Sequence, residues 1–170
     1  RKQHLEVTRD LAIRFNNAYG ETLVVPDAMI RDEVAVVPGI DGQKMSKSYD
    51  NTVEIFGPEK KIRKKIMKIV TDSTPMEEPK DPDTCNVFAI YKLMANEAEI
   101  AAMRERYTAG GMGYGHAKQA LFEKYLETFA AFRQRRDELE QNLDEVEAIL
   151  ERGAERAREV AEGYLNAVKK

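Results

Sequence analysis

The fold and function of this chain are indicated by one run of residues, Lys44-Met45-Ser46-Lys47-Ser48. This run places two ammonium groups and two hydroxyl groups in one short segment. Gly39 and Gly42 precede it and allow a sharp turn, and the polar residues 49–52 follow it and can cap the next segment. Clustered charged and hydroxyl donors suit phosphate oxygens. We therefore predict that residues 44–48, here called the phosphate loop, bind phosphate, in preference to forming a merely solvated basic loop.

Two short runs rich in β-branched residues precede the phosphate loop, at residues 23–25 and 34–37. Prolines bound both runs, which predicts short strands at the end of a mostly parallel sheet. Ligands of open α/β sheets bind at the carboxyl ends of strands, so a nucleotide phosphate is expected at the phosphate loop. Val36 and Val37 could offer backbone groups to an adenine, although a buried strand alone would explain them.

The segments on either side of this region have helical periodicity. Residues 3–19 predict an amphipathic helix that ends at Gly20 and offers apolar side chains for burial, namely Leu5, Leu11, Ile13 and Phe15. Residues 59–70 predict a helix with one apolar and one basic face. The apolar face consists of Ile62, Ile66, Ile69 and Val70, and the basic face of Lys60, Lys61, Lys64, Lys65 and Lys68.

The remainder of the chain predicts a small helical bundle. Three prolines make residues 71–84 a loop. Helices are predicted over residues 85–95, 97–108, 116–136 and 143–168, with a break near Asn142. The fold class is therefore mainly α: residues 1–57 form the end of a Rossmann-like α/β domain, and residues 58–170 form an α-helical bundle.

Composition limits the possible classes of protein. The chain is 42% hydrophobic and 34% charged with a net charge of -3, and it has no apolar run near the ~20 residues that cross a bilayer. No signal-peptide pattern opens it, so we expect no membrane association and a cytoplasmic location. The single cysteine, Cys85, has no Cys or His at zinc-ligand spacing, and no metal site is predicted.

The phosphate loop resembles the KMSKS signature of class I aminoacyl-tRNA synthetases, and its continuation through Thr52 is similar to that of the bacterial tryptophanyl-tRNA synthetase family. Further family-like segments follow in the same order along the chain. These are Gln3-His4, Thr8-Arg9-Asp10, Arg14-Phe15-Asn16, Thr71-Asp72-Ser73, and Gly111 to Gly115 with Lys118. Tyrosyl-tRNA synthetases are the nearest alternative, but the extension after Ser48 and the glycine-rich segment favour tryptophan.

This resemblance implies ATP-dependent activation of tryptophan, with Mg²⁺, followed by transfer to tRNA(Trp). By resemblance, Lys47 is the closer phosphate ligand and Lys44 helps to hold the triphosphate. Ser46 and Ser48 supply hydroxyl or backbone donors, and Met45 packs against the adenine side or simply anchors the loop. Family members form homodimers, and their carboxy-terminal helical domain reads the tRNA anticodon.

The family's amino-terminal ATP signature, which resembles His-Ile-Gly-His, is missing. The two histidines, His4 and His116, do not form it, and His4 more readily caps a helix than catalyses. We expect a carboxy-terminal piece that is inactive alone. Other possibilities are an RNA-binding module without catalysis, or a helical interaction protein, which the phosphate loop argues against.

Two basic groups are candidates for contact with tRNA: the arginines Arg133, Arg135 and Arg136, and the lysines Lys61 and Lys65. Tyr125, Phe129 and Phe132 could stack on bases, but at helical spacing they are more often core residues. The glycine-rich segment at 111–115 lacks a preceding strand, so it predicts a turn between helices and not a phosphate cradle.

Overall fold

The computed structural model describes residues 2–29 and 36–169, and α-helices dominate this part of the chain. Six α-helices occur there: α1 Lys2–Tyr19, α2 Glu59–Met67, α3 Asn86–Lys92, α4 Glu97–Thr108, α5 Tyr114–Glu140 and α6 Leu143–Val168. A 3₁₀ turn covers Lys47–Tyr49. The mainly α class and the helical bundle are thus confirmed, and the predicted loop at residues 71–84 lies between α2 and α3.

Polar side chains set the starts of two helices. Asn96 and Glu99 form a capping box at α4, in which the Asn96 side chain accepts from the Glu99 amide and the Glu99 carboxylate accepts from the Asn96 amide. The Asn142 side chain accepts from the Glu145 amide at the start of α6. Each cap satisfies backbone groups that the first turn leaves unpaired, which contributes about 1 kcal/mol.

The described residues form two compact units. Residues 2–29 with 138–169 make one unit, and residues 36–137 make the other. Residues 36–57, which the sequence assigns to the catalytic domain, therefore group with helices α2 to α4 and most of α5. The functional boundary at residue 57 stays a prediction.

Apolar residues from α2 to α5 build the core of the second unit. Ile62, Ile66 and Ile69 are buried as predicted, and Phe88 and Tyr107 pack edge to face with ring centroids 5.4 Å apart. Each fully buried side chain of this size contributes roughly 1.5–3 kcal/mol. The predicted burial of Val70 is wrong, since it is 55% exposed. The helix ends at Met67, so the helical spacing that placed Val70 on the apolar face does not reach it.

In the other unit, the buried stripe of α1 differs from the one predicted. Ala12 is buried and Leu5 and Phe15 are partly buried, whereas Leu11 and Ile13 are exposed. The predicted burial of these last two residues is wrong because successive helical residues are rotated by about 100°, which turns both away from the direction of Ala12. No described residue of α6 is buried.

The predicted strand at Leu23–Val25 is wrong for this structure. The amides of Thr22 and Leu23 donate to Asn16 Oδ1, and Asn16 Nδ2 donates to the Leu23 carbonyl. A strand requires a neighbouring strand in a hydrogen-bonded ladder, and no described residue supplies one here. Within the second predicted strand, residues 34–35 lie outside the described residues, while Val36 and Val37 are not in a strand.

Candidate phosphate-binding loop and basic surface

A tight backbone turn supports the entry to the phosphate loop. The Met45 amide donates to the Val37 carbonyl at 2.8 Å, and Pro38 and Lys44 form an antiparallel β-bridge. Gly42, with φ of +82°, reverses the chain between them. The Val37 carbonyl is thus already bonded to the loop itself, while Val36 is exposed. Their predicted contact with adenine stays a prediction.

Asn51 lies behind the loop and organises it. Its side-chain Oδ1 accepts from the Ser46 amide at 2.7 Å, and its Nδ2 donates to the Lys44 carbonyl at 3.2 Å and to Asp41 Oδ1 at 2.9 Å. The residue is only 2% exposed. Sequence reasoning gave residues 49–52 a capping role and a part in the family resemblance, but it assigned Asn51 no task in the loop. The sequence feature that could have indicated this task is the position of the amide side chain of Asn51 between a polar loop and the apolar residue Val53.

The exit of the loop is fixed to α2. Ser46 Oγ and Ser48 Oγ lie 2.7 Å apart, and Asp50, with φ of +49°, ends the 3₁₀ turn. Lys65 Nζ donates both to the Asp50 carboxylate at 2.8 Å and to the Asp50 carbonyl at 3.1 Å. The hydrogen bond and the charge of Lys65 hold the pKa of Asp50 below its usual value.

The two loop lysines project from this supported backbone. Lys44 and Lys47 are exposed, and neither ammonium group has a hydrogen-bond or ion-pair partner among the described residues. Ser48 is exposed, and Met45 and Ser46 are partly exposed. The structure therefore brings the five predicted residues into one loop whose ammonium groups are available to an anionic ligand.

A basic groove lies along α2, next to the exit of the loop. Its volume is about 330 Å³, and it is lined by Ile40, Asp50, Glu54, Lys61, Ile62, Lys64, Lys65 and Lys68. A second cleft of about 390 Å³ extends the same surface and is lined by Lys60, Arg63, Lys64, Met67 and Lys68. Four lysines against two carboxylates give the first groove an excess of positive charge. Both predicted lysines, Lys61 and Lys65, lie in it.

The predicted arginine cluster has a structural task. Arg133 donates to the carbonyls of Ile55 at 2.8 Å and Gly57 at 3.0 Å, and the Arg136 guanidinium lies 5.0 Å from the centroid of the Phe56 ring. These contacts attach the segment before α2 to α5. Arg135 is exposed on the same helix. Sequence reasoning missed this attachment because the acceptors are backbone carbonyls far away along the chain.

The aromatic residues near these arginines fall into two groups. Tyr125 is buried in the core, and Phe129 is partly buried beside it with ring centroids 4.8 Å apart. Phe132 is 62% exposed. The core alternative therefore holds for Tyr125, whereas Phe132 is available for stacking.

The glycine-rich segment forms a turn between α4 and α5, as predicted. Gly110 and Gly111 have φ of +75° and +77°, and α5 begins at Tyr114. The Tyr114 hydroxyl donates to Asp72 at 2.8 Å. Two segments that resemble the same family, 71–73 and 111–115, thus contact each other.

Neither a metal centre nor a membrane span is found in the described part of the chain. Residues 2–29 and 36–169 contain no group of three or more His, Cys, Asp or Glu side chains that could hold a metal ion. No described helix is both long and apolar enough to cross a bilayer. The His4 side chain is exposed, and the His4 carbonyl accepts from Thr8 Oγ1.

Comparison with known proteins gives the family. The sequence model of the family described as tRNA synthetases class I (W and Y) matches residues 1–130. The chain belongs to this family. Within it, curated proteins similar to this chain include tryptophan–tRNA ligases. That of Rhodopirellula baltica is 54% identical over 168 residues, and that of Fusobacterium nucleatum is 49% identical over 161 residues.

Solved structures give the same result. The crystal structure of the tryptophanyl-tRNA synthetase of Campylobacter jejuni complexed with ADP and tryptophan has a TM-score of 0.83 and 44% sequence identity over 98% of this chain. That match covers 52% of the solved chain, and the matches to the Rhodopirellula and Fusobacterium ligases cover 52% and 49% of their lengths. The chain therefore spans about half the length of these synthetases and corresponds to their carboxy-terminal half.

Proposed function

We propose that this chain is the carboxy-terminal half of a tryptophan–tRNA ligase, which activates tryptophan with ATP to tryptophanyl-adenylate and transfers it to tRNA(Trp). The observation that carries the proposal is the phosphate loop, with two available ammonium groups on a backbone supported by Asn51. The similar Campylobacter enzyme, which binds ADP and tryptophan, supports the same substrates.

The chemistry of the loop follows from where charge develops. Attack of the tryptophan carboxylate on the α-phosphorus breaks the bond to pyrophosphate, so negative charge grows on the leaving oxygens. Lys47 would bind these oxygens, and Lys44 would help to hold the triphosphate. Contacts that strengthen in the transition state raise the rate. Mg²⁺ would enter on the phosphates of ATP, because the loop offers cations and hydroxyls and no carboxylate ligands.

Transfer requires tRNA, and we assign its backbone contacts to the basic surface of this chain. The groove of α2, with Lys61 and Lys65, offers clustered ammonium groups beside the loop. Arg135 and Arg136 on α5, with Arg133, form the second candidate surface. Residues 58–170 would then be the anticodon-binding domain, and residues 1–57 the end of the catalytic domain. A cytoplasmic homodimer is the proposed state of the full-length enzyme.

Two alternatives have clear discriminators. Because the family includes enzymes for tyrosine as well as tryptophan, a tyrosyl enzyme would exchange pyrophosphate into ATP with tyrosine and not with tryptophan. An RNA-binding module without catalysis would bind tRNA with no amino-acid-dependent exchange at all.

The test uses a full-length ligase that carries this chain as its carboxy-terminal half. We expect tryptophan-dependent exchange of pyrophosphate into ATP from the full-length enzyme and none from the isolated chain. Lys47→Ala should lower the single-turnover activation rate by about thirty- to thousandfold, the loss of roughly 2–4 kcal/mol of transition-state stabilisation. Lys44→Ala should have a milder effect, and tryptophan affinity should change little in both variants.

The matched control is Lys92→Ala, which removes an exposed lysine of α3 outside the loop. It should keep the parental rate. Robust exchange by the isolated chain would contradict its predicted inactivity. Near-parental activation by both loop variants would show that the loop does not act on phosphate.

A further inference from the structure

We propose that Asn51 is the positioning residue of the phosphate loop, the side chain that fixes the backbone from which Lys44 and Lys47 reach the phosphates. This inference rests on the proposed function, because it assigns a task within the activation reaction. Asn51 itself does not touch the substrate in this scheme. It acts through the peptide groups around Met45.

The geometry of the amide group carries the inference. The Lys44 carbonyl and the Ser46 amide lie on either side of Met45, and both bond to the side chain of Asn51, at 3.2 Å and 2.7 Å. Two contacts from one planar group restrict both position and rotation of this short segment. The second Nδ2 hydrogen goes to Asp41 Oδ1 at 2.9 Å, so both donors of the amide are used.

Asn51 is itself held rigidly. It is 2% exposed, and its own carbonyl accepts from the Ile40 amide at 3.0 Å. The Ile40 carbonyl in turn accepts from the Val70 amide at 2.7 Å, just beyond α2. A Cβ atom added at Gly39 would lie 2.4 Å from Asn51 Cγ and Nδ2. The loop is therefore connected through Asn51 to the core of the second unit.

Other asparagines of the chain use the same bonds for a different purpose. Asn96 caps α4, and Asn16 holds the turn after α1. In contrast, Asn51 bonds to residues inside the phosphate loop, at the position between the two lysines. A ligand contact that strengthens in the transition state requires such fixed geometry, and misplacement by about 1 Å can lower a rate about a hundredfold.

The experiment uses an isosteric change, Asn51→Asp, in the full-length ligase. The new carboxylate can still accept from Ser46, but it presents an acceptor where Nδ2 donated to Lys44 and Asp41. We expect the single-turnover activation rate with saturating ATP and tryptophan to fall about tenfold to a hundredfold, with unchanged affinity for tryptophan. The control Asn96→Ala removes a cap in the same unit, and it should keep the parental rate.

A rescue variant separates positioning from folding. The double variant Asp41→Asn, Asn51→Asp restores an amide donor to the hydrogen bond between residues 41 and 51. Its activation rate should be about twofold to tenfold higher than that of Asn51→Asp alone. Hydrogen exchange gives a second measurement on the isolated chain. In the parental chain, the Ser46 amide hydrogen should exchange at least about tenfold more slowly than it does in Asn51→Ala.

The outcomes separate this inference from the proposed function. A parental activation rate in Asn51→Asp, together with a large loss in Lys47→Ala, would overturn the positioning role and leave the phosphate loop intact. A parental rate in Lys47→Ala would refute the proposed function instead. If Asn51→Asp does not fold, hydrogen exchange in the parental chain decides. A Ser46 amide that exchanges there as fast as an unprotected amide overturns the inference.

Discussion

Replacing Gly39 by Ala tests how tightly the phosphate loop is packed. The added Cβ would lie 2.4 Å from Asn51 Cγ and Nδ2 and 2.8 Å from the Asn51 carbonyl oxygen. Carbon atoms in proteins do not approach this closely, so Gly39 or Asn51 has to move. Gly39 is buried and its amide donates to the Gln43 carbonyl, which leaves little room on its side.

The magnitude follows from what such a shift would break. Overpacking of this kind lowers the free energy of unfolding by about 1–3 kcal/mol. Moving Asn51 away would also weaken its bonds to Lys44, Ser46 and Asp41, each of which contributes about 1 kcal/mol. We therefore expect a loss of at least about 1–3 kcal/mol in the isolated chain, rising toward about 6 kcal/mol if all three bonds of Asn51 are broken. In the full-length ligase the activation rate should fall as well, because the backbone of the loop is displaced.

Tyrosine signals provide the assay. The chain contains no tryptophan, and Tyr91, Tyr107 and Tyr125 are buried in the second unit, so near-ultraviolet circular dichroism in urea reports that unit. Gly115→Ala is the control: nothing lies within 4 Å of its added Cβ, and alanine favours α5. It should unfold at an equal or higher urea concentration. A Gly39→Ala protein as stable as Gly115→Ala would refute the packing argument.

Two further predictions concern the core and the basic surface. The Tyr125 hydroxyl is buried without a hydrogen-bond partner among the described residues, so Tyr125→Phe should leave the free energy of unfolding at pH 7 unchanged or raise it by about 1 kcal/mol. Burial raises the pKa of the Tyr125 hydroxyl to about 12 from 10.0, so between these pH values the folded chain keeps a proton that the unfolded chain loses. The free energy of unfolding should therefore fall as pH rises from 10 through 12. Urea titrations should show a smaller fall in Tyr125→Phe than in the parental chain, and an equal fall would contradict this. Neutralising Lys61, Lys64 and Lys68 together should weaken tRNA binding and lower the slope of log affinity against log salt by up to about 0.9 per lost phosphate contact, without affecting tryptophan activation. The triple variant of Arg133, Arg135 and Arg136 tests the other surface, and unchanged binding and slope in either variant would exclude that surface.

The helices could be predicted from the sequence because their signals are local. Residues 97–108 and 143–168 match α4 and α6 at both ends, where Asn96 and Asn142 cap the first turns. The glycine-rich turn was predicted correctly for the same reason. The predicted burial of Leu11 and Ile13 on α1 is wrong because large apolar residues occur on more than one side of this helix, and the buried side is the one that carries the small residue Ala12.

The strand prediction failed because strands depend on neighbours. Leu23–Val25 has the composition of a strand, but the ladder that would make it one has to come from another segment. In the described structure, Asn16 instead satisfies the backbone of this turn. Composition indicates that a segment suits a sheet, and it does not supply the partner.

The same limit explains which site residues the sequence could identify. The phosphate loop is a contiguous motif, so its five residues could be named together, but the support from Asn51 depends on a fold that returns residue 51 to the back of residues 44–46. The arginines show the converse. A basic cluster in the sequence predicts an anion-binding site. In the structure, however, two donors of Arg133 are bonded to the Ile55 and Gly57 carbonyls.

The contacts of Arg133 bear on which of the two candidate surfaces is better suited to bind tRNA. A phosphate that binds Arg133 would compete with two backbone carbonyls, and breaking those bonds would release the segment before α2. Lys61, Lys64 and Lys68 present exposed side chains along one groove, and Lys65 in the same groove already holds Asp50 at the exit of the phosphate loop. A phosphate backbone placed in this groove would therefore add contacts without breaking the attachment of α5, which makes the α2 face the stronger of the two candidates.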